Sequence, residues 1–282
     1  MLLVDTHTHL DFPEFDDDRE RVIERAANAG VGAIVNVGTD LASSQAAVAL
    51  AEAYPQIYAA VGVHPHDAKT MTGEVLEELR VLAGRPRVVA IGEIGLDFYR
   101  DLSPRDQQRQ VFEQQLALAS EVGKPVIIHD REAHAEVMAI LRHWACPEHF
   151  DCAQCKLHRR IEGHHQPSAI SHRPIGVMHC FSGDLTMAQK ALELGFYISI
   201  AGPVTFDNAR RLRELVRQLP LEKLLVETDC PYLTPHPHRG KRNEPAYVKF
   251  VAQEIARVKE LSLEEVACIT SDNAQALFAL NF

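Results

Sequence analysis

The chain has 282 residues, 46% hydrophobic and 24% charged, a composition that excludes disordered and fibrous classes. Its length suits two ordinary domains or one α/β barrel of about 250 residues. With 29 basic and 39 acidic residues the net charge is −10, which argues against coating long duplex nucleic acid, a task that needs a broad basic face, but not against a site that grips one phosphate through metal ions.

Short β-branched apolar runs alternate with longer helical patterns. Leu2–Val4 reads as a strand leading into Asp5-Thr6-His7-Thr8-His9, and Asp17–Ala29 as a helix stopped at Gly30, a natural left-handed cap. Strand and helix recur as Ala33–Val37 with Ser43–Ala53, and as Tyr58–Val63 with Glu74–Leu82. Val88–Ile91 feeds Gly92-Glu93-Ile94-Gly95-Leu96-Asp97 and is followed by Gln107–Val122, closed by Gly123. Pro125–Ile128 ends at His129 and precedes a helix over Ala133–Trp144. The rhythm breaks over residues 145–174, then resumes with Ile175–Met178, ending at His179, and Met187–Leu194. Tyr197–Ile200 with Asn208–Leu219, and Leu224–Val226 with Tyr247–Leu261, complete the series before a last helix at Leu263–Phe278.

Eight strand–helix units joined by short connections predict an α/β fold, a (β/α)8 TIM barrel spanning 1–282 as one unit, with an insertion between helix 5 and strand 6. An open doubly wound sheet competes, but the first βα turn lacks a G-x-G-x-x-G fingerprint. The N-terminal residues show no basic n-region, and no apolar run approaches the ~18 residues of a membrane span, so a cytoplasmic location and no membrane partner are expected.

The polar residues fall in a pattern. His7 and His9 follow strand 1, Glu93 strand 4, His129 strand 5, His179 strand 6 and Asp229 strand 8. In a parallel barrel these strand ends share one face, where active sites are built. Residues i and i+2 of an extended chain point the same way, so both imidazoles of His7-x-His9 can reach one ion. Four imidazoles and two carboxylates exceed the needs of one tetrahedral ion. Glu93 is therefore a candidate bridge between two ions roughly 3.5–4 Å apart. Each residue alone fits a blander role, a hydrogen-bonded histidine or an aspartate capping a helix; the joint placement is what points to metal.

The stretches Val4-Asp5-Thr6-His7-Thr8-His9-Leu10, Gly62-Val63-His64-Pro65-His66, Gly92–Asp97, His179-Cys180-Phe181-Ser182-Gly183 and Glu227-Thr228-Asp229-Cys230-Pro231-Tyr232-Leu233 resemble the TatD-like metal-dependent deoxyribonucleases of the amidohydrolase superfamily. The resemblance covers nearly the whole chain apart from residues 145–174. It implies His7, His9, Glu93 and Asp229 at one ion, and Glu93, His129 and His179 at the other. It also implies a phosphodiesterase acting from DNA ends, with Glu93 standing where many superfamily relatives carry a carboxylated lysine.

Two divalent ions would clamp the phosphodiester and acidify a water, with Asp229 the candidate to orient or deprotonate it. Imidazole-rich sites suit zinc, manganese or nickel better than magnesium, whereas the resemblance implies magnesium; magnesium or manganese is expected in turnover and zinc on purification. His64, His66, Arg131, Ser182 and Arg242, in the dense basic run Arg239–Asn243, are candidate substrate contacts. Tyr99 and Phe98 are candidates to stack on a base or to pack in the core. The ligand set leaves the scissile bond open between the phosphodiester of a single-stranded or frayed DNA end and an ester or amide such as aminoacyl-tRNA. A non-catalytic scaffold is a third class, which the intact ligand set disfavours.

The insertion carries Cys146-x5-Cys152-x2-Cys155-x2-His158, spacing compatible with a structural zinc ion or with a metal-free loop. A connection from helix 5 to strand 6 lies on the face opposite the catalytic mouth. Cys180, Cys230 and Cys268 read as packing residues.

Overall fold

A computed structural model of the chain describes residues 2–145 and 175–281. Its strands are β1 (Leu3–Thr8), β2 (Val31–Val37), β3 (Ile57–Val61), β4 (Val88–Asp97), β5 (Val126–Arg131), β6 (Gly176–Met178), β7 (Phe196–Ile200) and β8 (Leu224–Val226). The helices are α1 (Arg19–Asn28), α2 (Leu41–Ala53), α3 (Gly73–Ala83), α4 (Arg105–Val122), α5 (His134–Ala145), α6 (Leu185–Glu193), α7 (Arg210–Gln218), α8 (Val248–Lys259) and α9 (Leu263–Phe278). The candidate zinc ligands Cys146, Cys152, Cys155 and His158 lie outside the described residues. No helix among the described residues is long and apolar enough to cross a membrane.

The strands pair in parallel in the order β1 to β8. The sheet then returns on itself: Thr8 bridges Cys230, Asp229 N donates to His7 O at 2.9 Å, and Thr6 Oγ1 donates to Val226 O at 3.0 Å. The result is the expected TIM barrel, and no doubly wound sheet forms.

Alternation along the strands separates two apolar layers. Ile57, Ala59, Ile91, Val126, Ile128, Met178, Ile198 and Val226 pack outward with the helices. Val35, Tyr58, Ala60, Ala90, Ile127, Val177, Tyr197 and Leu225 form an inner layer joined by Leu277 and Phe278 of α9. Two residues further along, the inner series turns polar: Ile127 is succeeded by His129, Val177 by His179, and Leu225 by Glu227. The barrel interior thus passes from an apolar plug into a polar floor.

β1 and β4 reach that floor differently. Simple alternation from Val4 and Ala90 would miss His7 and Glu93, but the register shifts between Asp5 and Thr8 and between Ile91 and Ile94. Such irregularities re-aim a side chain next to an active site. β1, β4 and β5 consequently run longer than their apolar runs predict, ending at Thr8, Asp97 and Arg131. The apolar criterion stops at the first polar residue, whereas the backbone ladder continues because those polar groups find partners.

Gly95 makes the closest approach between β4 and β5. It sits opposite His129 with φ +148°, and a Cβ there would lie 1.9 Å from the His129 carbonyl oxygen. Gly95→Ala is therefore expected to cost more than about 3 kcal/mol, both from the forbidden φ and from the backbone clash. Urea denaturation measures it; a loss below about 1 kcal/mol would show that β4 can move away without penalty.

Candidate metal centre

Glu93 is buried between two groups of ring nitrogens. Its Oε2 lies 3.3 Å from His7 Nε2 and 3.9 Å from His9 Nε2. Its Oε1 lies 2.6 Å from His129 Nδ1, 3.5 Å from His64 Nε2 and 3.8 Å from His179 Nε2. Asp229 Oδ1 closes the first side, 3.6 Å from His9 Nε2 and 3.9 Å from His179 Nε2. All six candidate ligands from five strands converge, and groups such as His7–His9–Glu93 and His7–His179–Asp229 are compact enough to hold an ion.

The outer nitrogens show which inner nitrogens carry lone pairs. His9 Nδ1 stands 2.8 Å from Val37 O, so it must donate, leaving Nε2 free to ligate. His179 Nδ1 lies 3.0 Å from Glu227 Oε1, off the line of a good hydrogen bond but close enough to hold the proton on that side. His129 Nε2 faces Asp97 Oδ2 at 3.2 Å, which leaves Nδ1 to the cluster. His64 is reversed. Its Nδ1 accepts from His66 N at 3.1 Å, so in the neutral ring the proton sits on Nε2. Burial first, then the neighbouring His129 charge, pull its pKa down to about 4. His64 thus presents an N–H, not a lone pair, although distance alone groups it with Glu93 and His129.

The donor set fits a divalent cation. His7 Nε2 and His9 Nε2 are 3.2 Å apart, and His7 Nδ1 is buried with no hydrogen-bond partner among the described residues. Burial pushes the Glu93 carboxyl up, but the His64, His179 and His129 rings outweigh it and hold it well below the usual range. Asp229 is likewise lowered, its burial overcome by His9, His179 and His7. Burial works against charge on His129 and His179 too, yet Asp97 and Glu93 raise the former to about 9, and Glu227 and Glu93 the latter to about 10.

Three carboxylates behind the cluster escaped the sequence reading. Asp97 accepts from Tyr99 N at 3.0 Å and Arg100 N at 2.7 Å, and also meets His66 Nε2 at 2.8 Å. Glu227 accepts from Cys180 N at 2.7 Å. Asp5 accepts from Thr228 N and Oγ1 at 2.9 and 2.6 Å, tying β1 to the segment after β8. Asp5 and Glu227 each stand two residues before a candidate ligand, a spacing that was readable.

The substrate candidates divide. His64 belongs to the cluster, and His66 is its neighbour through Asp97. Arg131 is exposed, its guanidinium 4.6 Å over the Tyr99 ring, and Ser182 is exposed at the mouth. Arg242 is engaged by both Asp18 oxygens at 2.8 and 2.9 Å and lies over Phe15, so it anchors the β8–α8 loop. Arg105 covers the Phe98 ring as Arg131 covers that of Tyr99, but Tyr99 is 60% exposed.

Comparison with known proteins fits this geometry. The family model described as TatD related DNase matches residues 4–279. The chain belongs to the TatD family. It is 46% identical over 280 residues to the uncharacterized metal-dependent hydrolase YabD of Bacillus subtilis (strain 168), covering 99% of this chain and 100% of that one. It is 37% identical to the 3'-5' ssDNA/RNA exonuclease TatD of Edwardsiella piscicida, covering 99% and 100%. The crystal structure of YJJV, a TatD homolog from Escherichia coli K12, superposes with a TM-score of 0.85 at 32% identity, covering 99% and 98%. This TatD-family chain is a metal-dependent hydrolase whose His, Glu and Asp clusters are able to hold metal.

At neutral pH the His129 and His179 rings are protonated in the free site, so an ion must displace protons to reach their lone pairs. Loading metal-stripped protein at neutral pH is expected to release protons, with apparent affinity rising with pH until it passes the His129 and His179 values of about 9 and about 10. Calorimetric titration with zinc in buffers of different ionisation enthalpy reads this directly; heats independent of the buffer would mean that both rings are already neutral.

Proposed function

We propose that this TatD-family hydrolase is a nuclease that shortens single-stranded or frayed DNA from an end, working with two divalent ions. The observation that carries the reading is Glu93, which offers one oxygen to each of two groups of ring nitrogens. His7, His9, Glu93 and Asp229 would hold one ion, and Glu93, His129 and His179 the other. The exonuclease name of the Edwardsiella relative supports a nucleic-acid strand as substrate.

Bound there, the ions supply charge neutralisation at the phosphate and acidify the attacking water. The protein does the positioning. Asp229, at 15% exposure the more open carboxylate of the pair, is ionised and accepts the water's proton. His64 Nε2–H donates to a phosphate oxygen, and Arg131 and Ser182 contact the strand at the mouth. Magnesium or manganese serves turnover, because exchange-labile oxygen-preferring ions suit a phosphate, while the nitrogen-rich set retains zinc on purification. The described residues act as one domain.

The test is degradation of end-labelled single-stranded oligonucleotide by metal-stripped protein, with magnesium, manganese or zinc restored separately. Metal-dependent laddering from one end is expected. Two bound ions without cleavage under any condition would move the substrate to an ester or amide such as aminoacyl-tRNA.

His64→Ala separates donor from ligand. As a donor to phosphate its loss lowers kcat/KM by about 10- to 100-fold with metal content unchanged. Loss of one ion per chain in elemental analysis would make His64 a ligand instead.

A further inference from the structure

Two strongly exposed large aromatic side chains occur among the described residues, Tyr99 at 60% and Tyr232 at 52% exposure. Both stand on loops of the catalytic face, after β4 and after β8. Those strands are four apart in an eight-stranded ring, so their loops face each other across the mouth.

Each tyrosine is linked to the candidate metal centre through one intervening residue, on opposite ends of Glu93: Tyr232 by its ring through Phe12, Tyr99 by its backbone N–H through Asp97. On the Oε2 side, Phe12 stacks on His9 at 4.7 Å and 14°, and Tyr232 meets Phe12 edge-on at 6.3 Å. On the Oε1 side, Asp97 binds His129 with one oxygen and the Tyr99 backbone N–H with the other. Arg131 then covers the Tyr99 ring at 4.6 Å. A solvent-exposed tyrosine backed by a second ring or a guanidinium is rigid without being buried, which is what a stacking surface needs and a core residue does not.

We propose that Tyr99 and Tyr232 are base-stacking platforms on either side of the metal centre, and that they make the site select unpaired nucleotides. The inference deepens the nuclease reading and rests on it. A phosphate over Glu93 has a nucleoside on each side, and each base can lie on a tyrosine only if it has left its own stack and pair. Stacking uses the face that every base presents, so the selection is for strandedness and not for sequence.

The test uses the full-length, metal-loaded chain on single-stranded oligonucleotides, either intact or with an abasic nucleotide at one of the two terminal positions. Tyr99→Ala and Tyr232→Ala are each expected to raise KM about tenfold with kcat changed less than about threefold, and Tyr→Phe to restore it. An abasic nucleotide should cost the wild-type chain about tenfold at the matching position but little in the corresponding alanine variant, because both changes remove the same contact. Penalties that multiply in full, or alanine variants with unchanged KM in a chain that does degrade the strand, overturn the platforms and leave the nuclease reading intact. A wild-type chain that cleaves no nucleic acid with any ion overturns both.

Discussion

A carboxylate taken out of water must be met by positive charge or by hydrogen-bond donors, and Glu93 is met on both oxygens by imidazoles. The rest of the molecule follows from that requirement. Histidines on β1, β5 and β6 and the His64 loop have to surround one point inside the barrel mouth. The register shifts in β1 and β4 deliver His7 and Glu93 to it, and Gly95 lets β4 lie against the His129 backbone. The carboxylates Asp97, Glu93 and Glu227 favour positive charge on His129 and His179, the same preference that suits the pocket to a cation.

Behind the cluster, hydrogen bonds decide chemistry that distance cannot. His64 lies no farther from Glu93 than His9 does, yet the Val37 carbonyl turns His9 into a lone-pair donor and the His66 amide turns His64 into an N–H donor. Asp97, Glu227 and Asp5 carry this ordering outward. Asp97 reaches from His129 to the Tyr99 backbone, and Asp5 joins the first strand to residue 228. The β8–α8 loop is secured in turn by Arg242 and Arg25, which grip Asp18 and Glu244 and hold the Asp18 carboxyl down at about 2.

Much of this was legible in the order of residues. Eight alternating units predicted the closed parallel sheet, and a polar residue at the end of each relevant run located the mouth. The motifs around His7, Glu93, His179 and Asp229 carried the family, and the six candidate ligands do meet. Strand ends were less legible. β1, β4 and β5 overran their apolar segments, because hydrophobic periodicity reports only the part of a strand that packs against carbon. Asp97 lay unremarked inside a quoted motif, since its histidine partners come from residues 66 and 129. Arg242 read as a candidate substrate contact in a basic run; its partner Asp18 is 224 residues away and could be seen only in the fold.

Residue type and spacing alone determined the barrel, the face that carries the chemistry and the kind of atoms gathered there. Those properties are local: a strand's inward side and its C-terminal end are set by alternation within a few residues. Tertiary structure decided which nitrogen of each histidine is free, which oxygen of Glu93 serves which group, and which surface aromatics flank the mouth. These depend on contacts between distant segments, where a change of partner moves a proton from one ring atom to the other and turns a ligand into a donor.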